Sequence, residues 1–230
     1  MKLTRYAWPQ MHLLLAAMLL LAGVLYWKAT TWHVALFVAA ELPLVVAAWC
    51  LWFFRDPDRT PPKDPNLLVS PADGTVTDIT LLGSDCVLGE DGTQVGVFMS
   101  IFSVHVNRAP AAGTIDRVEH QPGAYLDARD PAASERNEAT TIHMTILHEG
   151  EPVKIVYRQI AGLVARRIVA DVKPGDSVAR GQRVGMIKFG SRCELIVPRR
   201  VVGRIGVDVR DAAVAGETVL LELKHEDLLK

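Results

Sequence analysis

Two long apolar runs at the start of the chain stand apart from the alternating pattern that follows them. The first covers Met11 to Trp27 and the second covers Val34 to Phe54, with a short polar break between them. Each run approaches the ~20 residues that a helix needs to cross the hydrocarbon core of a bilayer. The pattern therefore predicts an α-helical transmembrane hairpin over residues 1–54. A pair of helices buried in a soluble core is the alternative, because Glu41 and Pro43 interrupt the second run.

Cationic and aromatic residues flank these runs. Lys2 and Arg5 precede the first run, and the cations after the second run are Arg55, Arg59 and Lys63. Because flanks rich in Lys and Arg stay in the cytoplasm, both ends of the hairpin are predicted to be cytoplasmic. All five tryptophans lie at or near the run ends, as interfacial aromatics do. The segment is thus expected to anchor the protein in the inner cell membrane, with the remaining chain on the cytoplasmic side.

A charged, proline-rich linker at residues 55–66 leads into a second domain, predicted to span residues 67–230. Short alternating or β-branched runs fill this domain, each bounded by Gly, Asp or Pro, which is the pattern of strands joined by turns. The runs lie at residues 74–80, 95–101, 113–118, 139–146, 153–157, 164–170 and 217–223. Helical periodicity is present only around residues 130–137. The domain is therefore predicted to be mainly β, and residues 172–187 resemble the turn-and-strand repeat of lipoyl-like barrel-sandwich domains.

Composition excludes several classes of protein. Half of the 230 residues are hydrophobic and the formal net charge is -1, so the chain is too apolar and too weakly charged to be a disordered polymer. The near-neutral net charge does not indicate a nucleic-acid partner. Three scattered cysteines without a C-x-x-C motif predict neither a disulfide framework nor a zinc site. No H-x-H or H-E-x-x-H motif is present, so no metal is predicted.

Three polar residues of the second domain are candidates for chemistry, and each also fits an ordinary structural role. Asp73, in Ser70-Pro-Ala-Asp-Gly, lies in a turn before a strand, where a carboxylate often bonds nearby backbone amides. His105 ends an apolar strand shortly before Arg108, a place where histidines are usually structural hydrogen-bonders. His143 lies inside a predicted strand and is a weaker candidate.

The fourth candidate is the Gly190-Ser191 pair in Phe189-Gly-Ser-Arg. Glycine gives a backbone that bends and a carbonyl that no side chain shields, so the Ser191 hydroxyl could attack the Gly190 carbonyl. A plain Gly-Ser turn is the commoner interpretation. The cations of residues 199–204 suit a phosphate and equally suit a solvated strand face.

Together these stretches resemble the phosphatidylserine decarboxylase family in its short-chain form. The resemblance runs from the Phe54-Arg-Asp-Pro-Asp-Arg linker through residues 70–74, 104–110 and 120–123 to Phe189-Gly-Ser-Arg, and covers nearly all of the predicted β domain. It implies self-cleavage between Gly190 and Ser191. The products would be a β chain of residues 1–190 and an α chain of residues 191–230, whose first residue becomes a pyruvoyl group.

The resemblance also implies an activity and roles for residues. The expected reaction is the pyruvoyl-dependent decarboxylation of phosphatidylserine in the bilayer to phosphatidylethanolamine and carbon dioxide, without external cofactor or metal. Asp73, His105 and Ser191 are implied to form a processing triad, in which the carboxylate orients the imidazole and the imidazole deprotonates the hydroxyl. Arg192, Arg108 and His143 are the expected substrate-binding residues.

One departure from the family pattern leaves a role open. Longer-chain members carry two histidines three residues apart in this stretch, and Arg108 stands at the second position here. His105 is therefore expected to serve maturation, proton delivery to the product, or both, with His143 as the alternative for one of them.

A different class of function also remains open at this point. A membrane-anchored barrel-sandwich adaptor or lipid-binding module without catalysis would fit the hairpin and the lipoyl-like segment. A membrane-tethered metallopeptidase lacks the histidine ligands it would need. A homo-oligomer is compatible with the sequence, which does not specify one.

Overall fold

The computed structural model describes residues 2–8, 10–30, 35–130, 132–163, 167–188 and 190–224. The chain divides into two compact units, Met1–Pro57 and Asp58–Lys230. Trp32, Phe189 and residues 164–166, on which some of the sequence expectations fall, lie outside the described residues.

Two helices make up most of the first unit, α1 (Gln10–Ala29) and α2 (Ala35–Phe53), after a 3₁₀ turn at Arg5–Ala7. Both are long and apolar enough to cross a membrane, and only 11% and 28% of their apolar windows are buried. The Tyr26 hydroxyl of α1 donates a hydrogen bond to Glu41 of α2. Helices of a soluble core would bury most of their apolar side chains, so this exposure favours the predicted hairpin and is consistent with membrane association.

The regular secondary structure described in the second unit is almost entirely β-strand. The strands are β1 (Leu67–Val69), β2 (Gly74–Leu82), β3 (Gly92–Met99), β4 (Val106–Arg108), β5 (Gly113–Gln121), β6 (Ala139–His148), β7 (Glu151–Ala161), β8 (Arg167–Ala170), β9 (Ser177–Val178), β10 (Arg183–Lys188), β11 (Ser191–Pro198), β12 (Val202–Ile205), β13 (Ala212–Ala213) and β14 (Val219–Leu223). The helix expected around residues 130–137 is the single turn α3 (Ala133–Arg136), and a second 3₁₀ turn covers Arg199–Val201. The prediction of a mainly β domain is confirmed.

Within the described residues, the strands form three sheets in which the paired strands run antiparallel. The largest sheet has the order β13-β2-β3-β11-β7-β6-β5-β9, and the two smaller sheets have the orders β4-β10-β8 and β1-β14-β12. The lipoyl-like segment supplies β9 and β10, which belong to different sheets. Side chains of the three sheets meet in one hydrophobic core that includes Leu68, Val97, Tyr157, Val184 and Leu221. This sandwich of curled sheets agrees with the barrel-sandwich expectation.

Strand β11 is central to the large sheet, and its sequence Ser-Arg-Cys-Glu-Leu-Ile-Val-Pro is buried at all eight positions. Because side chains alternate across a strand, Cys193, Leu195 and Val197 enter the hydrophobic core on one side of the sheet. Arg192 and Glu194 project from the other side. We call these two sides the core face and the outer face.

Candidate active site

The register of the large sheet brings the ends of several strands together at one edge. Ser191, the first residue of β11, pairs with Met99 at the end of β3 and with Ala161 at the end of β7. Thr75 of β2 pairs with Phe98, so Asp73 lies just beyond the same edge. The chain leaves β3 at Met99 and returns through a short loop to His105. Residues far apart in sequence, Asp73, His105 and Ser191, therefore lie at one end of the sheet.

The Gly190-Ser191 peptide has two unusual features. Gly190 has φ 53°, in the left-handed region that glycine adopts without strain. Ser191 is fully buried, and its Oγ has no hydrogen-bond partner among the described residues. Buried hydroxyls are normally paired, because leaving one unpaired costs about 1–3 kcal/mol. An unpaired hydroxyl next to the Gly190 carbonyl fits a residue whose oxygen is to be consumed in a reaction.

The Gly190 carbonyl oxygen is closely approached by Gly162. A Cβ atom built on Gly162 would lie 2.3 Å from that oxygen and 3.1 Å from the Ala128 Cβ. Only a glycine at position 162 therefore allows the chain to pass this close to the carbonyl.

His105 is fully buried, and its Nδ1 lies 3.0 Å from the carbonyl oxygen of Ser103. A carbonyl oxygen only accepts hydrogen bonds, so this contact requires the proton on Nδ1. The Nε2 atom is then the nitrogen that can take up a proton.

Asp73 is held by partners from distant parts of the chain. Its Oδ2 lies 2.8 Å from Nη2 of Arg59 in the linker, and its Oδ1 accepts a hydrogen bond of 2.8 Å from the backbone N–H of Ala215. Arg59 also lies 3.6 Å from Glu217. The preceding Ser70 bonds the backbone of Ala72 and so fixes the turn that carries Asp73.

The family pattern of phosphatidylserine decarboxylase matches residues 46–221. A similar protein is the phosphatidylserine decarboxylase proenzyme of Paramagnetospirillum magneticum, which is 39% identical over 224 residues that cover 96% of this chain and 87% of the relative. The chain belongs to the phosphatidylserine decarboxylase family. The match extends across the sheet edge described above and over the Gly190-Ser191 pair.

Arg192, the residue after the Gly-Ser pair, lies on the outer face of β11, whereas Ser191 lies on the core face. Its guanidinium contacts Asp78 at 2.7 Å and Glu194 at 2.9 Å, and Glu194 also pairs with Arg158 at 3.1 Å. The α3 residue Ser134 completes this network through hydrogen bonds with Glu194 and Arg158. These contacts give Arg192 a structural task in fixing β11, and its expected role in substrate binding stays a prediction.

The other two residues expected to bind substrate are also engaged with protein groups. Arg108 is buried and donates a hydrogen bond of 2.8 Å to the carbonyl oxygen of Gly181. His143 pairs with Val156, which pairs with Ile196, so His143 lies on the outer face and several residues along the sheet from Ser191. There its Nε2 lies 3.1 Å from Glu119. The substrate-binding roles expected of Arg108 and His143 stay predictions.

Sequence reasoning missed a buried amide pair beside the site. Gln159 of β7 donates to the Asn107 Oδ1 at 2.8 Å, and the Asn107 Nδ2 contacts the Cys193 sulfur at 3.3 Å. Burial raises the pKa of the Cys193 thiol, so it stays protonated and is no nucleophile. Asn107 stands two residues after His105 in Val-His-Val-Asn-Arg, and that proximity is the signal that could have drawn attention to it.

The ion pair between Asp78 and Arg192 makes a testable contribution to stability. Burial by itself would raise the pKa of Asp78, but hydrogen bonds from Arg192, Thr77 and Gln94 outweigh it and hold the pKa below its usual 3.8. A lowered pKa stabilises the fold above about pH 4, and this contribution is lost as the pH falls through the folded-state value. Asp78→Asn should therefore cost about 1–2 kcal/mol at pH 7 and show a weaker loss of unfolding free energy on acidification.

Denaturant unfolding between pH 7 and pH 3 measures this difference. Asp91→Asn is the matched control, because Asp91 forms a 3.6 Å pair with Arg199 in which both side chains are largely exposed, and such pairs contribute little. Identical pH profiles for the two variants would contradict the assignment.

Proposed function

We propose that this protein decarboxylates phosphatidylserine to phosphatidylethanolamine and carbon dioxide, using a pyruvoyl group that it makes by cleaving itself between Gly190 and Ser191. Family membership supports the reaction, and the unpaired, buried Ser191 hydroxyl beside a left-handed Gly190 is the observation that supports the cleavage position.

Cleavage at this bond and formation of the pyruvoyl group need no reagent other than water. The Ser191 oxygen attacks the Gly190 carbonyl carbon, the C–N bond breaks, and the proton of the hydroxyl passes to the released amine. Removal of the Ser191 Cα proton then breaks the Cβ–Oγ bond, and Gly190 departs as a carboxylate. Addition of water to the remaining double-bonded residue releases ammonia and leaves a ketone at the new N-terminus.

His105 is suited to move the protons in these steps. Its Nδ1 proton is directed to the Ser103 carbonyl oxygen, so Nε2 is the basic atom of the ring. Asp73, fixed by Arg59 and the Ala215 amide, supplies a negative charge at the same edge of the sheet, which would stabilise the imidazolium. His105 is also the first candidate for delivering a proton to the product, with His143 as the alternative.

The pyruvoyl group, once formed, would supply a carbonyl carbon to which the amine of the serine head group can bond, so that the electron pair left by departing carbon dioxide could be taken up through that bond. The chain's own residues then have to hold the lipid, exclude water and deliver a proton to the carbon that lost the carboxylate. Phosphatidylserine in the bilayer and the two chains of the one precursor are the proposed partners.

Anchoring by the hairpin fits a substrate that lies in a membrane. The cations Lys2, Arg5 and Arg55 flank the two helices, so both flanks are proposed to lie in the cytoplasm, together with the second unit. A non-catalytic adaptor with the same architecture is disfavoured by membership in a family of decarboxylase proenzymes.

Maturation is tested by the size and the mass of the purified chain. The active protein should consist of two chains, the smaller starting at residue 191 and resistant to Edman degradation because a ketone replaces its amine. Ser191→Ala should stay uncut and inactive, whereas Ser191→Cys should cut slowly, since a thiol can also attack the carbonyl. A single 25.2 kDa chain in an active preparation would exclude this mechanism.

The roles of His105 and Asp73 are tested by the rate of cleavage. His105→Ala should slow cleavage by about 10²–10⁴-fold, the usual contribution of a general base, and raised pH should partly restore it because more of the hydroxyl is ionised. Asp73→Asn should also slow cleavage, since the imidazolium loses a stabilising charge. Glu217→Gln is the control for Asp73, because it removes the other carboxylate partner of Arg59 and leaves Asp73 in place. His120→Ala, an exposed histidine, is the control for His105.

The same variants separate maturation from turnover. The cleaved fraction of His105→Ala should release carbon dioxide slowly per pyruvoyl group if His105 also delivers the proton to the product. Normal turnover per pyruvoyl group would confine His105 to maturation and make His143 the next residue to examine.

The role of the hairpin is tested by deleting residues 1–54. The deleted chain should still cleave itself, because all candidate processing residues lie in the unit Asp58–Lys230. Carbon dioxide release from phosphatidylserine vesicles should fall far more than release from a dispersed short-chain substrate, since an anchor mainly raises the local concentration at the bilayer. Equal losses on both substrates would mean that the hairpin helps to build the site itself.

A further inference from the structure

A cavity of about 360 Å³ has Gly190, the residue before Ser191, in its wall. Its wall combines a charged pair, Asp127 and Arg129, with the apolar side chains of Phe98, Ile101 and Leu163. Sites for small molecules have this volume and this combination of apolar walls with a few polar groups. Of the residues that line this cavity, Gly190 alone is among those predicted from the sequence to belong to the site.

Contacts with the protein orient the Arg129 guanidinium but do not use all of its hydrogen-bond donors. Asp127 accepts hydrogen bonds from Nε at 3.0 Å and from Nη2 at 2.6 Å, and the guanidinium carbon lies 5.7 Å from the centre of the Phe98 ring. A guanidinium has five N–H donors, and among the described residues those of Nη1 have no acceptor. The pKa of Asp127 is lowered to about 2, chiefly by hydrogen bonds from Arg129, so the pair is fully charged at neutral pH. The side chain of Arg129 is 67% exposed, so the Nη1 donors are accessible to a ligand.

Exposed apolar side chains lie in the wall of this cavity and next to it: Ile101 and Leu163 line it, and Phe102 is the chain neighbour of Ile101. Ile101 is 40% exposed, its neighbour Phe102 is 62% exposed and Leu163 is 64% exposed. The first two lie in the loop that joins Met99 to His105, and Leu163 follows Gly162, which contacts the Gly190 carbonyl. Clustered exposed apolar residues beside a polar cavity mark a surface that meets an apolar partner.

We propose that this cavity is the head-group site for the phospholipid, in which Arg129 binds the phosphodiester anion while Ile101, Phe102 and Leu163 contact the first part of the acyl chains. This proposal rests on the proposed function, because it takes the lipid to be the substrate that reaches Ser191. An arginine fork matches the geometry of phosphate oxygens, and an apolar rim beside it matches an amphiphile whose charged end must enter the protein.

The phosphate contact is tested with Arg129→Ala and Arg129→Lys in the full-length, cleaved protein. In detergent micelles, Arg129→Ala should raise the KM for phosphatidylserine about tenfold, the effect of losing one charge-assisted hydrogen bond, with a smaller change in kcat. Arg129→Lys should recover part of the loss, because it keeps the charge without the fork. Arg204→Ala is the matched control, since Arg204 is 74% exposed and pairs with Glu222 in another sheet.

Binding measurements identify which anion Arg129 contacts, independently of turnover. Calorimetric titration with glycerol 3-phosphate, which has the phosphate without the serine, should show about tenfold weaker binding to Arg129→Ala than to the wild type, whereas L-serine should bind both equally. Equal binding of glycerol 3-phosphate to both proteins, or a KM that does not change, would overturn the proposal. Failure of the wild type to cleave or to release carbon dioxide would instead refute the proposed function, and the titration would still decide the phosphate site.

The apolar rim is tested separately with Leu163→Ser against Leu147→Ser, because Leu147 is 73% exposed on β6 and lies outside the cavity. Leu163→Ser should raise the KM for long-chain phosphatidylserine several-fold and leave the KM for a monomeric short-chain substrate nearly unchanged. Equal KM values for the two variants on the long-chain lipid would show that the rim does not contact acyl chains.

Discussion

The enclosure of β11 between β3 and β7 is the constraint on which the site depends. Its backbone is paired from Ser191 to Pro198 with β3 and from Ser191 to Ile196 with β7. A shift of one residue would exchange the two faces of the strand and move Ser191 from the core face to the outer face. Such a shift would also bring Arg192 and Glu194 into the hydrophobic core, where unpaired charges are strongly unfavourable. The position of the Gly190-Ser191 bond is therefore fixed by the whole sheet and not by the local turn.

The same pairing determines what the proposed cleavage would do to the fold. Strands β11, β12, β13 and β14 all lie after the Gly190-Ser191 bond, and three of them pair with strands before it: β11 with β3 and β7, β13 with β2, and β14 with β1. Breaking one peptide bond at the edge of the sheet removes none of these ladders. Leu195 and Leu221 would also remain in the shared core. The two chains are thus held by the contacts that hold the uncut domain, and a new chain end can form inside a folded protein.

Local sequence patterns predicted the strands whose two faces differ in polarity. They did not predict β11, the strand that carries Ser191. Strands such as β6 alternate clearly between Thr or His and apolar residues, so the period of two is visible. In β11 both faces are buried, and Arg192 and Glu194 interrupt what would otherwise be an apolar run. Their charges are tolerated only because Asp78 and Arg158 reach them from other strands, and those partners cannot be read from the segment itself.

The candidate site shows the same division between local and long-range information. Asp73, His105 and the Gly190-Ser191 pair each belong to a short recognisable stretch, so their grouping could be predicted from the family resemblance. The contacts of Asp73 with Arg59 and Ala215 join segments from three parts of the chain, and the cavity at Arg129 exists only where two loops meet Gly190. Such contacts depend on tertiary pairing, which no local pattern encodes.

An unpaired buried hydroxyl is a defect that most folded domains avoid, and here it lies at the start of a strand that is paired on both sides. The residues on both sides of Ser191 have other interactions. Arg192 forms ion pairs on the outer face, and Gly190 adopts a left-handed backbone conformation just before the strand begins. Among the described residues, no group donates a hydrogen bond to the Ser191 oxygen or accepts one from it in the uncut chain. Attack on the Gly190 carbonyl would convert this unpaired hydroxyl into an ester oxygen. The free-energy cost of the unpaired hydroxyl in the uncut chain would therefore favour the cleavage reaction.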